Sequence, residues 1–308
     1  MRINYQEIED YSNYCKHCAN LSANTVRAYR SDLLQYLEWQ NEQGCPVTRE
    51  TVREFVASLS SIYKPRTIKR KIASLRAFAS YAAEKSGEQN PFLGFRLDCR
   101  VPKELPRTVP LSTLELILDS DLLRDETSTL SLRNRAIVEL LLSTGVRVSE
   151  LCNLNIANCD LSGKMLTVLG KGSKERAIQL ECLETVLALE RYLKTRSADA
   201  ASAPLFLNRF GNRLSPQAVR NFINRLAKSV NAPVHITPHM FRHTFATILL
   251  EEDVDIRYIQ HLLGHASIKT TEIYTHVSNA KQREVMRLHN PRDVVSRSMA
   301  GRKTAGRP

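Results

Sequence analysis

The sequence lacks any apolar run that is long enough to cross a bilayer. It has 308 residues, of which 43% are hydrophobic and 25% charged, and no apolar stretch approaches the roughly 18 to 20 residues that a spanning helix needs. The first residues, MRINYQEIEDYSNY, have no apolar stretch behind a basic start, so no secretory signal is predicted. We expect a cytoplasmic protein with two domains of ordinary size.

The signatures of zinc and nucleotide sites are also missing. Cys15 and Cys18 resemble half of a zinc site, but no second pair follows at finger spacing. His239 and His243 have the i, i+4 spacing of zinc ligands, yet there is no HExxH, and Arg242 shares the face of His239. The turn GKGSK lacks the spacing of a nucleotide P-loop. We therefore expect no metal and no cofactor.

Acidic residues are absent from residues 61–81, where six are Lys or Arg. The whole chain carries a net charge of +12, made up of +5 over residues 1–108, +1 over 109–280 and +6 over 281–308. A solvated surface could account for such a run, but a one-sided basic helix face favours contact with a DNA backbone. The predicted DNA-binding residues are Arg66, Lys69, Arg70, Lys71 and Arg76.

The hydrophobic pattern predicts a mainly α-helical protein. Ser22 and Thr48 are expected to cap helices that begin at residues 23 and 49, and a third apolar stripe runs over 65–83. Prolines at 91, 102, 106 and 110 indicate a linker. MLTVLG and ERAIQL, separated by KGSK, predict a β-hairpin. We predict a helical N-terminal domain over 1–88, a linker over 89–108, a second domain over 109–293 and a flexible basic tail over 294–308.

Several isolated residues are suited to binding a phosphate. His239 and Arg242, at i, i+3, would point at one anion, and Arg147 follows a glycine turn that opens a short helix. Lys171 at a hairpin tip could reach a leaving group. Tyr274 is a weak nucleophile unless cations or a base activate its phenol. Taken singly, each has an ordinary alternative: an ion pair with Glu150 for Arg147, solvation for Lys171, packing for Tyr274.

In combination and in this order, these residues resemble the active site of the tyrosine site-specific recombinases. The resemblance is carried by TGVRVSELCNL, GKGSKERAIQL, TPHMFRHTFAT and LLGHASIKTTEIYTH, and it extends to KPRTIKRKIASLRAF and to the LHNPR near residue 291. It covers residues 5–293 and is closest to the Xer subgroup. It implies an all-helical SAM-like N-terminal domain and a helical catalytic domain with a small antiparallel β-sheet, which together form a C-shaped DNA clamp.

The resemblance also implies roles for six catalytic residues. Tyr274 would attack the scissile phosphate and form a 3′-phosphotyrosyl link. Arg147 and Arg242 would hold the non-bridging oxygens. Lys171 would protonate the departing 5′-oxygen, His239 would assist proton transfer at the tyrosine, and His265 would hydrogen-bond the phosphate.

The expected function is site-specific DNA strand exchange, with Xer-like resolution of chromosome or plasmid multimers as the leading role. The alternatives are an integrase or transposase of a mobile element, an architectural DNA-binding protein without catalysis, and a relaxing enzyme of the type IB topoisomerase kind. The expected partners are double-stranded DNA, a homo- or hetero-tetramer assembled through a terminal helix at 284–288, and a second recombinase or a DNA translocase. The protein would then be associated with the nucleoid.

Overall fold

The computed structural model describes residues 3–94, 107–170, 175–196, 203–264 and 279–305. The chain divides into two units, residues 1–104 and 105–308. No helix in the described ranges is both long and apolar enough to cross a membrane.

Four helices make up the described part of the first unit, and side-chain caps fix where three of them begin. Asn4, Ser22 and Thr48 each accept a backbone hydrogen bond from the third residue of the following helix, which satisfies an otherwise unpaired amide. The caps predicted at Ser22 and Thr48 are therefore confirmed. The helices are α1 (Tyr5–His17), α2 (Ala23–Gln43), α3 (Arg49–Ser60) and α4 (Pro65–Ser86).

The core of the first unit lies where the apolar stripes of these helices meet. Leu33 and Tyr36 of α2 have no exposed surface, and neither do Phe78 and Ala79 of α4. Tyr36 stacks edge-on against Phe55 of α3, with the ring centroids 4.9 Å apart. Burying each large apolar side chain contributes about 1.5–3 kcal/mol, so the predicted stripe of α4 is what attaches its helix to the rest of the unit.

The second unit contains nine α-helices within its described residues. They are α5 (Leu111–Leu118), α6 (Thr129–Thr144), α7 (Val148–Asn153), α8 (Leu183–Lys194), α9 (Pro216–Ser229), α10 (Pro238–Glu251), α11 (Ile256–Leu263), α12 (Asn279–Leu288) and α13 (Pro291–Ala305). Eleven of the sixteen residues of the central helix α6 are buried, and it packs against α8 and α10.

A three-stranded antiparallel sheet lies in this unit in the order β1 (Cys159–Asp160), β2 (Met165–Leu169) and β3 (Glu175–Gln179). The predicted hairpin is confirmed, with Met165 opposite Gln179 and Leu169 opposite Glu175. The short strand β1 was not predicted. The observed architecture confirms the predicted class, mainly α with a small antiparallel sheet.

The structure differs from the predicted flexible basic tail over residues 294–305. Residues Pro291–Ala305 form α13, which packs against α5, α6 and α10. Val295 has no exposed surface and belongs to the main core, and Arg292 is 4% exposed and forms an ion pair with Glu139 of α6. A segment that buries an apolar side chain and an ion pair is part of the folded unit, despite its basic composition.

Candidate active site

Arg147 lies at the start of α7, immediately after a turn that only glycine can make. Gly145 ends α6 in the left-handed conformation, with φ +61°. A Cβ there would lie 2.7 Å from Cδ1 of Phe245 and 2.9 Å from Cδ2 of Leu263. The turn therefore needs glycine both for its backbone angle and for its lack of a side chain. It fixes the backbone from which Arg147 projects.

Glu150 holds Arg147 at both its backbone and its side chain. The amide of Arg147 donates to Oε2 of Glu150 over 2.9 Å, and Nη1 of Arg147 donates to Oε1 over 2.7 Å. Arg176 of β3 approaches from the other side, with Nη1 and Nη2 donating to Oε1 and Oε2 over 3.1 and 2.8 Å. Burial alone would raise the pKa of Glu150, but the hydrogen bonds from Arg176 and Arg147 outweigh it and lower the pKa to about 2.

Arg242 projects from α10 and is only 3% exposed. Its Nη1 donates to the carbonyl of Gly145 over 2.8 Å and its Nη2 to the carbonyl of Leu263 over 2.6 Å. Burial, followed by the positive charge of Arg147, lowers its pKa to about 10. Arg242 therefore stays protonated at neutral pH and is held rigidly by two backbone contacts.

Three consecutive carbonyl groups at the end of α11 each accept a hydrogen bond from a different arginine. Nε of Arg176 donates to Leu262 over 3.2 Å, Nη2 of Arg242 to Leu263, and Nη2 of Arg147 to Gly264 over 3.3 Å. Carbonyls at a helix C-terminus are unpaired within the helix and carry partial negative charge, so they suit cations. Three guanidinium groups against one carboxylate leave the cluster with a net charge of +2, which attracts an anion.

Two histidines of α10 lie next to this cluster. His239 is exposed, and its ring centroid is 4.4 Å from that of the half-buried His243 in an edge-on arrangement. Burial, then the neighbouring His239 and Arg242, lowers the pKa of His243. His243 is therefore neutral at pH 7, which limits repulsion from Arg242.

Three predicted catalytic residues, Lys171, His265 and Tyr274, lie outside the described residues. The structure describes the neighbours of two of them in sequence. Residues 171–174 connect β2 to β3, and His265 directly follows Gly264, whose carbonyl accepts from Arg147. Of the six predicted catalytic residues, the structure brings Arg147 and Arg242 into one cluster and places His239 on the helix that carries Arg242.

The predicted DNA-binding residues of α4 do not share one environment. Arg66, Lys69, Arg70 and Arg76 are exposed, whereas Lys71 is 6% exposed. Nζ of Lys71 donates to Oδ1 of Asp32 over 3.0 Å, and Arg70 and Ser74 bond to the other oxygen of this carboxylate. Because Lys71 is buried and paired, we remove it from the set of DNA-contacting residues. Arg70 keeps half of its side chain exposed beside the same carboxylate.

Sequence reasoning missed two features of the second unit. The sequence predicts only that Arg176 lies in a strand, because its bidentate contact with Glu150 depends on how the hairpin packs against α7. The second feature is the basic face of α9, where Arg220, Arg225 and Lys228 are exposed. The sequence does indicate this basic face, because residues 200–250 hold six Lys or Arg and no Asp or Glu. Averaging the charge over 109–280 concealed it.

One group of possible metal ligands occurs among the described residues. Ligand atoms of Cys182, Glu184 and Asp293 lie within 4.8 Å of one another. Burial raises the pKa of Cys182 to about 12, so its thiol is protonated at neutral pH and is a poor metal ligand. Burial would raise the pKa of Glu184, but hydrogen bonds from its own amide and from Cys182, followed by the charges of Arg292 and Arg135, lower it, so cations already face this group.

Comparison with protein families finds two matches. Residues 8–86 match the phage integrase N-terminal SAM-like domain, and residues 117–281 match the phage integrase family.

Curated relatives match nearly the full chain. A tyrosine recombinase of Agathobacter rectalis is 40% identical over 294 residues, which cover 92% of this chain and 96% of the relative. Tyrosine recombinase XerD of Halalkalibacterium halodurans is 36% identical, with 92% and 97% covered. Tyrosine recombinase XerC of Bacillus pumilus is 37% identical, with 89% and 92% covered.

Solved structures share the fold. A XerH site-specific recombinase bound to palindromic difH substrate aligns with a TM-score of 0.69 and 23% identity, over 91% of this chain and 84% of that one. The integrase of the Tn1549 transposon in complex with transposon right end DNA aligns with a TM-score of 0.65 and 25% identity, over 92% and 99%.

Proposed function

This chain belongs to the phage integrase family and is a tyrosine recombinase, and from that premise we propose that it exchanges DNA strands at a specific site through a phosphotyrosyl intermediate on Tyr274. The resemblance that the motifs carried is thereby confirmed at the level of the family. The six catalytic residues that we propose are Arg147, Lys171, His239, Arg242, His265 and Tyr274.

The observation that carries this proposal is the arginine cluster at the end of α11. A guanidinium has five N–H donors. The described contacts use two donors of Arg242, both on backbone carbonyls, so three remain for a ligand. Arg147 uses one on Glu150 and one on Gly264. A scissile phosphate between these two groups would be held by fixed cations that need no reorganisation as charge develops on its oxygens.

The remaining roles follow from chemistry and position in the chain. We assign Lys171 as the acid for the 5′-oxygen, because a lysine is a mobile proton donor on a flexible stem. His239 lies one helical turn before Arg242 and is exposed. We propose that its imidazole assists the transfer of the proton from the hydroxyl of Tyr274. His265 adjoins Gly264 in sequence and would donate a hydrogen bond to the phosphate.

We propose that both units contact DNA. The first unit would use the exposed basic residues of α4, namely Arg66, Lys69, Arg70 and Arg76. The second would add the basic face of α9. The proposed boundaries are a DNA-binding domain over 1–88, a linker over 89–108 and a catalytic domain from 109. The family matches over 8–86 and 117–281 support these limits, and the inclusion of α13 extends the catalytic domain to residue 305.

For the biological role we propose Xer-like resolution of chromosome or plasmid multimers. The full-length similarity to XerC and XerD proteins supports it. The same proposal includes a tetramer on two DNA sites and a nucleoid location. It also includes a second recombinase or a DNA translocase as partner.

The alternative role is integration or transposition of a mobile element, favoured by the likeness to the Tn1549 integrase. Deleting the gene in its host separates the two roles. Accumulation of chromosome or plasmid multimers supports the Xer-like role, and loss of excision of a neighbouring element supports the alternative.

Site-specific exchange is tested by a plasmid resolution assay. Duplexes that the protein binds are first selected from a random pool, and two direct copies of the enriched site are placed on one supercoiled plasmid. We expect two smaller circles with the wild-type protein and none with Arg242→Gln. Binding without resolution would indicate an architectural protein, and relaxation of plasmids without the site would indicate a topoisomerase.

A further inference from the structure

Arg176 lies at the junction of three elements that carry the proposed active site. Its strand, β3, directly follows residues 171–174 in the sequence, which include Lys171. Its Nη atoms contact both carboxylate oxygens of Glu150 on α7, and its Nε contacts the carbonyl of Leu262 at the end of α11. Only 13% of its side chain is exposed. One guanidinium therefore connects the hairpin, the helix of Arg147 and the segment that leads to His265.

We infer that Arg176 is a positioning residue for strand cleavage, because it fixes Glu150 and the end of α11 in the arrangement that aims Arg147 at the phosphate. This inference rests on the proposed function. In the described structure Arg176 faces the protein side of the cluster: its three bonded nitrogens are all used on Glu150 and Leu262. It acts through Arg147, to which Glu150 is bonded at the backbone and the side chain.

The geometry gives Arg176 two tasks that a neutral side chain could not perform. The first is to balance the charge of Glu150, which is 5% exposed and so pays a large desolvation cost when ionised. The second is to set the separation of α7 from α11, since the guanidinium group of Arg176 contacts Glu150 on α7 and Leu262 on α11. Gly264 keeps room for this contact, because a Cβ there would lie 3.1 Å from Nη1 of Arg176.

The pH dependence of cleavage separates positioning from a general structural role. The charged groups that face Glu150 in the described structure are Arg147 on α7, Arg176 on β3 and Arg242 on α10. With all three present the pKa of Glu150 is about 2, so this carboxyl stays ionised in any ordinary assay. Without Arg176 the burial of Glu150 raises that pKa, and protonation releases its hold on Arg147 as the pH falls.

The experiment measures single-turnover cleavage of a nicked duplex that carries the selected site, between about pH 5 and about pH 8. We expect Arg176→Gln to cleave about 100-fold more slowly than wild type at the acidic end, the size of loss that a 1 Å misplacement produces. The rate should recover as the pH rises, while the Kd for the intact duplex stays unchanged. In the double variant Arg176→Gln/Glu150→Gln the carboxyl is gone, so the rise with pH should be absent.

Two further variants keep the test decisive. Arg176→Lys retains the charge but cannot contact both carboxylate oxygens of Glu150 and the carbonyl of Leu262 at once. We therefore expect this variant to cleave more slowly than wild type, with a rate that does not depend on pH. Arg191→Gln removes an exposed arginine that pairs with Glu126 and should match wild type. If Arg176→Gln melts below the assay temperature, Arg176→Lys alone carries the test.

The outcomes are distinguishable from a failure of the proposed function. If wild type forms no covalent adduct, the proposed function fails. If wild type cleaves, and Arg176→Gln either keeps the wild-type rate or loses the same factor at every pH, Arg176 has no positioning role. A wild-type rate for Arg176→Lys would also overturn the inference.

Discussion

Arg147 and Arg242 are chemically alike but are held in different ways. Arg242 is anchored by two carbonyls and is nearly inaccessible, whereas Arg147 depends on Glu150 and keeps 37% of its side chain exposed. The proposed phosphate would therefore reach the exposed Arg147 more readily than the buried Arg242. The cluster thus combines one buried and one partly exposed cation, each held by fixed partners.

Replacing Arg147 should separate cleavage from binding. Arg147→Gln removes one of the two cations that we propose to hold the scissile phosphate, while the proposed contacts along the rest of the DNA remain. We expect cleavage to fall by at least about 100-fold and the Kd for the selected duplex to change little. Gel-shift titration and single-turnover cleavage measure the two quantities. A parallel loss of binding and cleavage would mean that Arg147 contributes mainly to affinity.

Gly145 offers a matched test of the turn before Arg147. Gly145→Ala and Gly211→Ala both place alanine at a positive φ, +61° and +77°, but only the first meets neighbouring atoms. The backbone cost is about 1 kcal/mol in each case, and overpacking against Phe245 and Leu263 adds about 1–3 kcal/mol at Gly145. Denaturant unfolding should therefore show a larger loss of stability for Gly145→Ala. Equal losses would contradict the crowding that the structure describes.

At the scale of elements, the basic run of α4 combines a buried lysine with exposed cations that we propose to face DNA. Six cations in residues 61–81 look equivalent in the sequence, but the helix turns Lys71 inward to the buried Asp32. Periodicity identified the apolar stripe of α4 correctly. It could not reveal Lys71, because a buried lysine is accepted only where another helix supplies a carboxylate.

The two roles of α4 should respond differently to substitution. Replacing Arg66 and Lys69 with glutamine should weaken DNA binding and reduce the slope of log Kd against log salt by about 2, with the unfolding free energy unchanged. Lys71→Gln should leave the salt slope unchanged and lower the unfolding free energy of the first unit by up to about 3 kcal/mol, since Asp32 loses a buried partner. Titrations at several salt concentrations, together with thermal melts, measure both. A change of the salt slope in Lys71→Gln would restore this lysine to the DNA contacts.

The terminal helix α13 shows where composition misleads. Its sequence, PRDVVSRSMAGRKTA, is polar and basic, which is typical of a mobile terminus. Two of its residues, Arg292 and Val295, nevertheless reach the interior, and only the tertiary structure shows that α6 provides Glu139 as a partner.

Adjacent valines test the packing of α13. Val295 is fully buried and Val294 only partly, while both have the same effect on helix propensity when changed to alanine. We expect Val295→Ala to destabilise the second unit by about 2 kcal/mol and Val294→Ala by clearly less. Denaturant unfolding gives both values. If neither substitution changed stability, this segment would be a tail after all.

At the scale of the whole molecule, the sequence predicted the helical class, two helix caps and the hairpin, because capping residues, periodicity and turn residues are local signals. It also identified the residues that make up most of the proposed site. It did not reveal Arg176 or the order in which arginines meet the end of α11. Those contacts join residues that are 21 to 117 positions apart, and no local pattern encodes such pairings.

The proposed assembly carries a cost that the structure makes visible. Val285 and Met286 of α12 are buried in a cluster with Phe245 and Leu249 of α10 and Leu262 of α11. If α12 docks on a neighbouring subunit, as the motif resemblance implies, these side chains must first leave their own chain, at about 1.5–3 kcal/mol each. The same cluster supports the end of α11. Release of α12 would therefore also disturb the position of the arginines that bind the carbonyls there.

The central claim is that Tyr274 becomes covalently linked to DNA. The most direct measurement mixes the protein with a nicked suicide duplex that carries the selected site, followed by SDS gel electrophoresis. We predict an SDS-resistant adduct that retains the 3′ side of the cut strand, is removed by protease and is absent in Tyr274→Phe, which should still bind the duplex. An adduct of equal yield in Tyr274→Phe, or none in the wild-type protein while it binds the duplex, would contradict the account.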